Sequence, residues 1–309
     1  IERYGADAVE KAIAEIMDGA ESAARARTRT IPDGIYEAES WLDDDGLEIG
    51  KRIPVRVKVI VRGDEMTIDL SEVSKQVRGF FNSGITTGYA CAQVAYKCIP
   101  SPTDYPINDG AFRSLKVVIP PGRIVSATRP APMRWWMTFP MTIVDTIFKA
   151  MAQAIPERVI AGHHAELMSA VMNGQMPGDG KLFILYGGTP GGGWGAKKGA
   201  DGANATICIN DGDTHNSPLE QLEAKYPMVV ERYALREDSG TRACRKSHQI
   251  DCNVDFERTH QIDDFRITFV RDIDKVLERA FQARLHCARR VRAERNCNCL
   301  EPGPVVMFD

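Results

Sequence analysis

The chain has 309 residues, of which 43% are hydrophobic and 26% are charged, and both fractions are typical of a folded globular protein. This length suggests two ordinary domains or one large domain, and it argues against a purely disordered or fibrous protein. No apolar run approaches the ~20 residues of a membrane-spanning helix, and a net charge of −3 argues against nucleic acid as the main partner. We therefore expect small molecules or other proteins as partners.

The first predicted element is a helix over residues 7–27, and the break at Pro32-Asp33-Gly34 follows it. Apolar residues recur along this helix at intervals of three and four, which is the pattern of one buried face. They are Val9, Ile13, Ile16, Met17, Ala20 and Ala24. Because the chain opens with Ile1 and the helical pattern is already under way there, we expect the natural start of the protein to lie upstream.

Strand and helix signals follow in blocks. Residues 53–61 and 66–70 alternate apolar with polar side chains around a glycine-containing turn, which predicts a hairpin with one buried face. Further helices are predicted at residues 89–99, 138–155 and 156–172, and further strands at 115–119, 182–186, 205–209 and 228–235. Since a strict βαβ rhythm is absent, we predict an α+β fold with mixed or antiparallel sheets and packed helices.

The composition changes abruptly at Gly240. Of the 26 glycines only Gly303 lies beyond this point, whereas five of the eight cysteines lie in residues 241–309. The change divides the chain into residues 1–240 and a tail, within which residues 272–295 have the pattern of an amphipathic helix. We expect the tail to be divergent or translated out of frame. Cysteines without a paired pattern favour a reducing, cytoplasmic setting.

Two polar clusters are candidates for catalysis. Asp211, Asp213 and His215 share one turn at a predicted strand end, where they could bind a hard metal or act as acid and base. A turn whose short side chains bond their own backbone is an equally good interpretation. His163 and His164 are adjacent, so their rings point about 100° apart on a helix and at most one faces a site. A buried, hydrogen-bonded histidine is the alternative.

Two further segments have simpler explanations. The glycine-rich residues 187–199 could wrap an anion, but they lack the Walker A spacing, and we favour a structural loop with positive φ angles. Arg129, Arg134, Trp135 and Trp136 could grip a carboxylate or phosphate, and we favour a protein interface there.

Four separated motifs stand in order along the first 240 residues. They are residues 69–82 (DLSEVSKQVRGFFN), 106–113 (PINDGAFR), 191–195 (GGGWG), and 216–218 with 223–227 (NSP and EAKYP). Together they resemble the hydantoinase B/oxoprolinase family. Four other segments are most similar, within that family, to the alpha subunits of acetone carboxylases. These segments are residues 135–138 (WWMT), 141–146 (MTIVDT), 161–165 (AGHHA) and 209–216 (INDGDTHN).

The resemblance implies a subunit of an ATP-dependent carboxylase that converts acetone and bicarbonate to acetoacetate. It implies a hetero-oligomer in which ATP and magnesium act on a hydantoinase A-like beta subunit, with a small gamma subunit as a further component. Manganese in the alpha subunit would act as a Lewis acid in forming the carbon–carbon bond. The family's His- and Asp-rich segments that we associate with this metal would precede Ile1, so no metal ligand is predicted here.

Two alternatives stay open. One is an ATP-dependent hydantoinase or 5-oxoprolinase subunit that opens a cyclic amide, against which residues 135–146 argue. The other is a non-catalytic assembly module that binds partner subunits through Trp135 and Trp136. If the chain carries catalytic residues, the candidates are Asp211, Asp213, His215, His163 and His164.

Overall fold

The computed structural model describes residues 3–99, 107–133, 139–163, 165, 170–187, 193–198, 200–203, 205–209, 217–234 and 264–269. The largest sheet within them has four strands, which neighbour one another in chain order. The strands are β1 (Gly34–Leu42), β2 (Ile53–Arg62), β3 (Glu65–Asp69) and β4 (Leu115–Val118). The first three are antiparallel neighbours, and β4 joins β3 in parallel, so the sheet is mixed.

One face of this sheet is buried. Every second residue of β2 is buried from Ile53 to Val61, as the alternating pattern of the sequence predicts. Helix α3 (Pro140–Met151) covers β1 and β2, and helix α2 (Ile85–Cys98) packs beside α3. Nine of the twelve residues of α3 are buried. The helix and the sheet therefore form one continuous hydrophobic core.

Two smaller antiparallel sheets lie later in the chain. Strands β5 (Ala170–Gln175) and β6 (Leu182–Gly187) pair with each other, and β7 (Met228–Ala234) pairs with β8 (Asp264–Phe269). The short helix α4 (Leu219–Lys225) packs against β7. A second, smaller core joins these elements, and its buried members are Phe183, Leu185, Leu222, Met228 and Val230. The chain has an α+β fold, as predicted. No helix in the described part of the chain is long and apolar enough to cross a bilayer.

Most predicted elements are confirmed, and some are wrong. Residues 156–163 form turns and a bridge, and β5 follows, so the helix predicted at 156–172 is wrong. Residues 205–209 form no strand. The prediction missed strands β1, β5 and β8 and the short helix α4. The helix predicted at 272–295 lies outside the described residues.

Helix α1 (Ala6–Thr28) matches the predicted bounds within one residue but has only part of the predicted buried face. Ala20 and Ala24 are buried, whereas Ile13 and Ile16 are 55% and 53% exposed. The reason is that close packing against α1 begins at Met17, after these two residues. There the 3-10 turn Asp109–Phe112 lies against the helix, and a Cβ added to Gly110 would be 2.1 Å from the carbonyl oxygen of Met17.

A chain of buried hydroxyl groups joins α1 and α2 to the residue that precedes β4. The hydroxyl of Thr28 donates to the carbonyl oxygen of Ala24 at 3.0 Å and lies 3.1 Å from the hydroxyl of Tyr96. The Tyr96 hydroxyl in turn lies 2.7 Å from that of Ser114. Because the Thr28 proton is used by Ala24, Tyr96 donates to Thr28 and Ser114 donates to Tyr96.

We predict that Tyr96→Phe lowers the free energy of unfolding by about 1–2 kcal/mol, because it leaves the buried Ser114 hydroxyl without its partner. Tyr89→Phe on the same helix is the control, since Tyr89 is 42% exposed. Urea denaturation of both variants measures the difference. Equal midpoints for the two variants would show that the hydroxyl chain adds nothing to stability.

A buried carboxylate ties two loops together. Asp45, in the loop between β1 and β2, is 5% exposed and accepts hydrogen bonds from the backbone N–H groups of Leu47, Glu48 and Gly79 at 2.7–3.0 Å. These bonds favour the charged carboxylate, and those from Glu48 and Leu47 contribute most to holding the Asp45 pKa below its ordinary value.

We expect Asp45→Asn to destabilise the protein in a pH-dependent way. Because the folded-state pKa is lowered, the native carboxylate contributes fully above the unfolded value of about 4 and loses its contribution as pH falls through the folded value. The difference in unfolding free energy between wild type and variant should be constant near pH 7 and shrink below about pH 4. Asp43→Asn, an exposed change of equal charge in the same loop, is the control. A difference that stays constant down to pH 3 would contradict the assignment.

Candidate functional site

His163 is the one predicted catalytic residue that the structure describes. It follows the turns after α3 and forms an antiparallel bridge with Trp194, so it does not lie on the predicted helix. Its side chain is fully buried, and the residue as a whole is 2% exposed. Bulk water cannot satisfy the ring nitrogens of a histidine held this far from solvent.

Asp145 of α3 holds His163 through both of its carboxylate oxygens. Oδ1 lies 2.5 Å from the ring Nδ1, and Oδ2 accepts a hydrogen bond from the backbone N–H of His163 at 3.2 Å. A carboxylate is only an acceptor, so Nδ1 carries the proton. In the neutral ring this leaves Nε2 with a free lone pair. Asp145 thus fixes both the tautomer and the orientation of the imidazole.

The second ring nitrogen of His163 is buried and has no hydrogen-bond partner among the described residues. An acceptor of this kind is costly to leave unused in a native structure, so it calls for an explanation such as a catalytic role or a bound water or ion. The Trp194 ring approaches the imidazole edge-on, with 6.3 Å between ring centroids and 80° between ring planes. This contact fixes one side of the imidazole without using Nε2.

The segment Gly193-Trp194-Gly195 is built into the structure around His163. The Trp194 indole donates to the carbonyl oxygen of Ile207 at 2.7 Å, and Gly195 N–H donates to the carbonyl oxygen of Gly162 at 2.6 Å. A Cβ on Gly195 would lie 2.9 Å from that same oxygen. Gly193 has φ of +85°, which favours glycine. The predicted structural loop is therefore supported for these three residues, and residues 188–192 lie outside the described part.

The thiol of Cys91 is unsuited to act as a nucleophile. Cys91 on α2 is buried, and its Sγ donates to the carbonyl oxygen of Pro140 at 3.3 Å. Burial raises the pKa of the Cys91 thiol to about 12, which keeps it protonated.

The described residues do not fit a metal ion, because they contain no group of three His, Cys, Asp or Glu side chains arranged to hold one. Asp145 already uses both oxygens on His163. What the arrangement can do chemically is accept a proton or a hydrogen bond at Nε2.

The remaining predicted site residues, His164, Asp211, Asp213 and His215, lie outside the described residues. The sequence analysis missed Asp145 as a site residue. A signal was present, since Asp145 is the only acidic residue of a helix whose other residues are almost all buried. A carboxylate among core residues has a partner in most cases, and here the partner is a histidine 18 positions away.

A family model for hydantoinase B/oxoprolinase matches residues 1–242. The chain belongs to this family. The B-type subunit named for a D-/L-hydantoinase in Pseudomonas sp. (strain NS671) is 33% identical over 249 residues, which cover 77% of this chain and 41% of that protein. The beta subunit of the caprolactamase of Pseudomonas jessenii is also 33% identical over 249 residues, covering 78% of this chain and 42% of that protein.

Solved structures give the same fold. The ATP-dependent caprolactamase of Pseudomonas jessenii superposes with a TM-score of 0.67 at 30% identity, over 77% of this chain and 42% of that chain. A nucleotide-free acetone carboxylase superposes with a TM-score of 0.62 at 16% identity, over 72% of this chain and 31% of that chain. The second likeness is one of fold alone. The chain spans about two fifths of the length of these curated relatives.

We predict that Asp145→Asn changes the tautomer of His163. In the wild type the carboxylate requires a proton on Nδ1, whereas an amide nitrogen facing Nδ1 donates to it and moves the proton to Nε2. Nitrogen NMR of the full chain with ¹⁵N-labelled histidine reports the tautomer, and His163→Gln assigns the signal.

Asp179→Asn, in the turn between β5 and β6, is the matched control and should leave the His163 signal unchanged. A wild-type spectrum in which Nε2 carries the proton would contradict the geometry.

Proposed function

We propose that this chain is part of the B-type subunit of an ATP-dependent enzyme that opens a cyclic amide. The observation that carries this proposal is the 33% identity to two relatives named for such substrates, a hydantoinase and a caprolactamase. Hydantoin and caprolactam both contain an amide bond within a ring. The likeness to acetone carboxylase is only 16% in sequence and therefore supports a ketone substrate less.

His163 is the residue of the described site that best fits a chemical role in this reaction. An amide is resonance-stabilised, and its hydrolysis needs a group that takes a proton from the attacking water. Nε2 of His163 is buried, oriented by Asp145, and has no other partner among the described residues. We propose that it accepts a hydrogen bond from the reacting water or from a polar group that positions this water.

The partner in this proposal is an A-type subunit that binds ATP and magnesium. Each relative is named as one subunit, B or beta, of its enzyme, and this supports a hetero-oligomer. The relatives are more than twice as long as the segment they share with this chain, which supports an active centre that includes further residues. Manganese, which the family resemblance implies, would then be held by residues other than those described.

Ketone carboxylation is the second candidate, with acetone and bicarbonate as substrates and a small gamma subunit as a further partner. Two observations favour it. Residues 135–138 and 141–146 are most similar to acetone carboxylase alpha subunits, and the fold superposes on an acetone carboxylase with a TM-score of 0.62.

ATP hydrolysis by the complete hetero-oligomer distinguishes the two candidates. We expect hydantoin, 5-oxoproline or caprolactam to stimulate ADP release when bicarbonate is absent. Stimulation only by acetone together with bicarbonate would overturn cyclic-amide opening in favour of carboxylation. No stimulation by either set would contradict both candidates.

The role of His163 has its own test in the same assay. His163→Gln should lower kcat about 10²-fold, the usual contribution of a positioned base, and leave KM nearly unchanged. Lys181→Gln is the control, because Lys181 is exposed and pairs only with Asp179 among the described residues. An unchanged kcat in folded His163→Gln enzyme would remove His163 from the reaction.

A further inference from the structure

A cleft of about 280 Å³ lies between the loop that joins β1 to β2 and the segment that follows β3. It is on a different part of the fold from His163, and neither candidate function uses it. Basic and polar side chains line most of it, and they are Lys51, Arg52, Ser74, Lys75, Gln76 and Arg78. Four of these six residues are cationic at neutral pH.

The two carboxylates in the cleft, Asp45 and Glu48, offset only part of this charge. Asp45 is occupied by three backbone N–H donors, and Glu48 forms an ion pair with Lys51. This leaves Arg52, Lys75 and Arg78, none of which has an acidic side chain within ion-pair distance among the described residues. The cleft therefore carries an uncompensated positive charge.

The backbone beneath these cations is held in place by buried contacts. Gly79 lies against Asp45 so closely that an added Cβ would be 1.8 Å from the Asp45 carbonyl oxygen. The buried Asn82 side chain bonds both the N–H and the carbonyl oxygen of Val77. The Gln76 side chain accepts from the N–H of Thr128 at 2.9 Å. The backbone that carries Lys75 and Arg78 is therefore already ordered, so less conformational entropy is lost when these residues bind a ligand.

A second cleft of similar size shows that this charge pattern is not general. It is about 310 Å³ and lies on the polar side of β1, β2 and β3. There Arg56 pairs with Glu39, and Lys58 pairs with Glu37, so each cation has an acidic partner. The two clefts are therefore similar in volume, but only the first has cations without acidic partners among the described residues.

We propose that the basic cleft binds a phosphate group of a small molecule. The volume admits a small anion and is at the lower limit of ligand pockets. Arg78 and Arg52 offer paired N–H donors, and Lys75 offers a compact positive charge, which together suit a tetrahedral oxyanion. The proposal is independent of the proposed reaction, because it concerns binding and not turnover.

Calorimetric titration of the full chain tests the proposal with inorganic phosphate, ADP and poly-glutamate as separate probes. We expect saturable binding of phosphate or ADP. Equal affinity for phosphate and ADP indicates that the cleft recognises free phosphate. Tighter binding of ADP indicates that the phosphate group belongs to a nucleotide. Binding of poly-glutamate without binding of phosphate or ADP would overturn the proposal and point to an acidic protein partner.

Paired variants locate the site. Lys75→Gln with Arg78→Gln should weaken phosphate or ADP binding at least about tenfold, since it removes two charge-assisted donors. Arg56→Gln with Lys58→Gln removes the same charge from the other cleft and should change the affinity less than about twofold. Equal losses in the two double variants, or no loss in either, would overturn the assignment. Circular dichroism confirms that each variant is folded.

Discussion

The packing of α3 on the four-stranded sheet is the constraint on which the rest of the structure depends. Ile143, Val144 and Ile147 are fully buried there, and each such side chain stabilises the fold by about 1.5–3 kcal/mol. The end of the helix is also fastened to β1, where Lys149 and Gln153 donate to the carbonyl oxygens of Glu39 and Glu37. This packing fixes the rotation of α3 about its axis.

That rotation decides where Asp145 points. The residues on either side of it are buried in the core, and the carboxylate emerges at the border of the core, with 18% of the side chain exposed. From there it captures the ring and the backbone of His163. The Trp194 contact covers a further side of the same imidazole. The candidate site is thus assembled from three parts of the sequence, around Asp145, His163 and Trp194, and its geometry depends on the stability of α3.

The basic cleft depends on a different contact of the same sheet. Asp45 and Gly79 join the loop after β1 to the segment after β3, and β2 lies between these two strands. The site around His163 presents one buried acceptor atom, whereas the cleft presents three exposed cations that have no acidic partner within the described part of the chain. The two sites share no residue, and they can be tested independently.

The sequence by itself determined the family, the α+β class and the elements with strong periodicity. The hairpin of β2 and β3 and helices α1, α2 and α3 follow from the spacing of apolar residues, because burial of one face imposes a period on the chain. The family followed from four short motifs, each of which is a contiguous segment and can be recognised without the tertiary structure. Strand β1 was missed because it is half-buried and rich in polar residues, so its alternation is weak. The helix predicted at 156–172 failed because local apolar spacing does not report long-range backbone bonds, such as those of Ala161 with Ala196 and of Gly162 with Gly195.

Only the tertiary structure decided which polar residues meet. Nothing in the spacing of Asp145, His163 and Trp194 indicates that they touch, since 18 and 31 positions separate His163 from the other two. The half-exposed face of α1 is a similar case, because periodicity predicts an apolar face and cannot say whether another element covers it. Long-range contacts arise when several elements pack together, so they depend on the whole chain, whereas periodicity depends on one segment at a time.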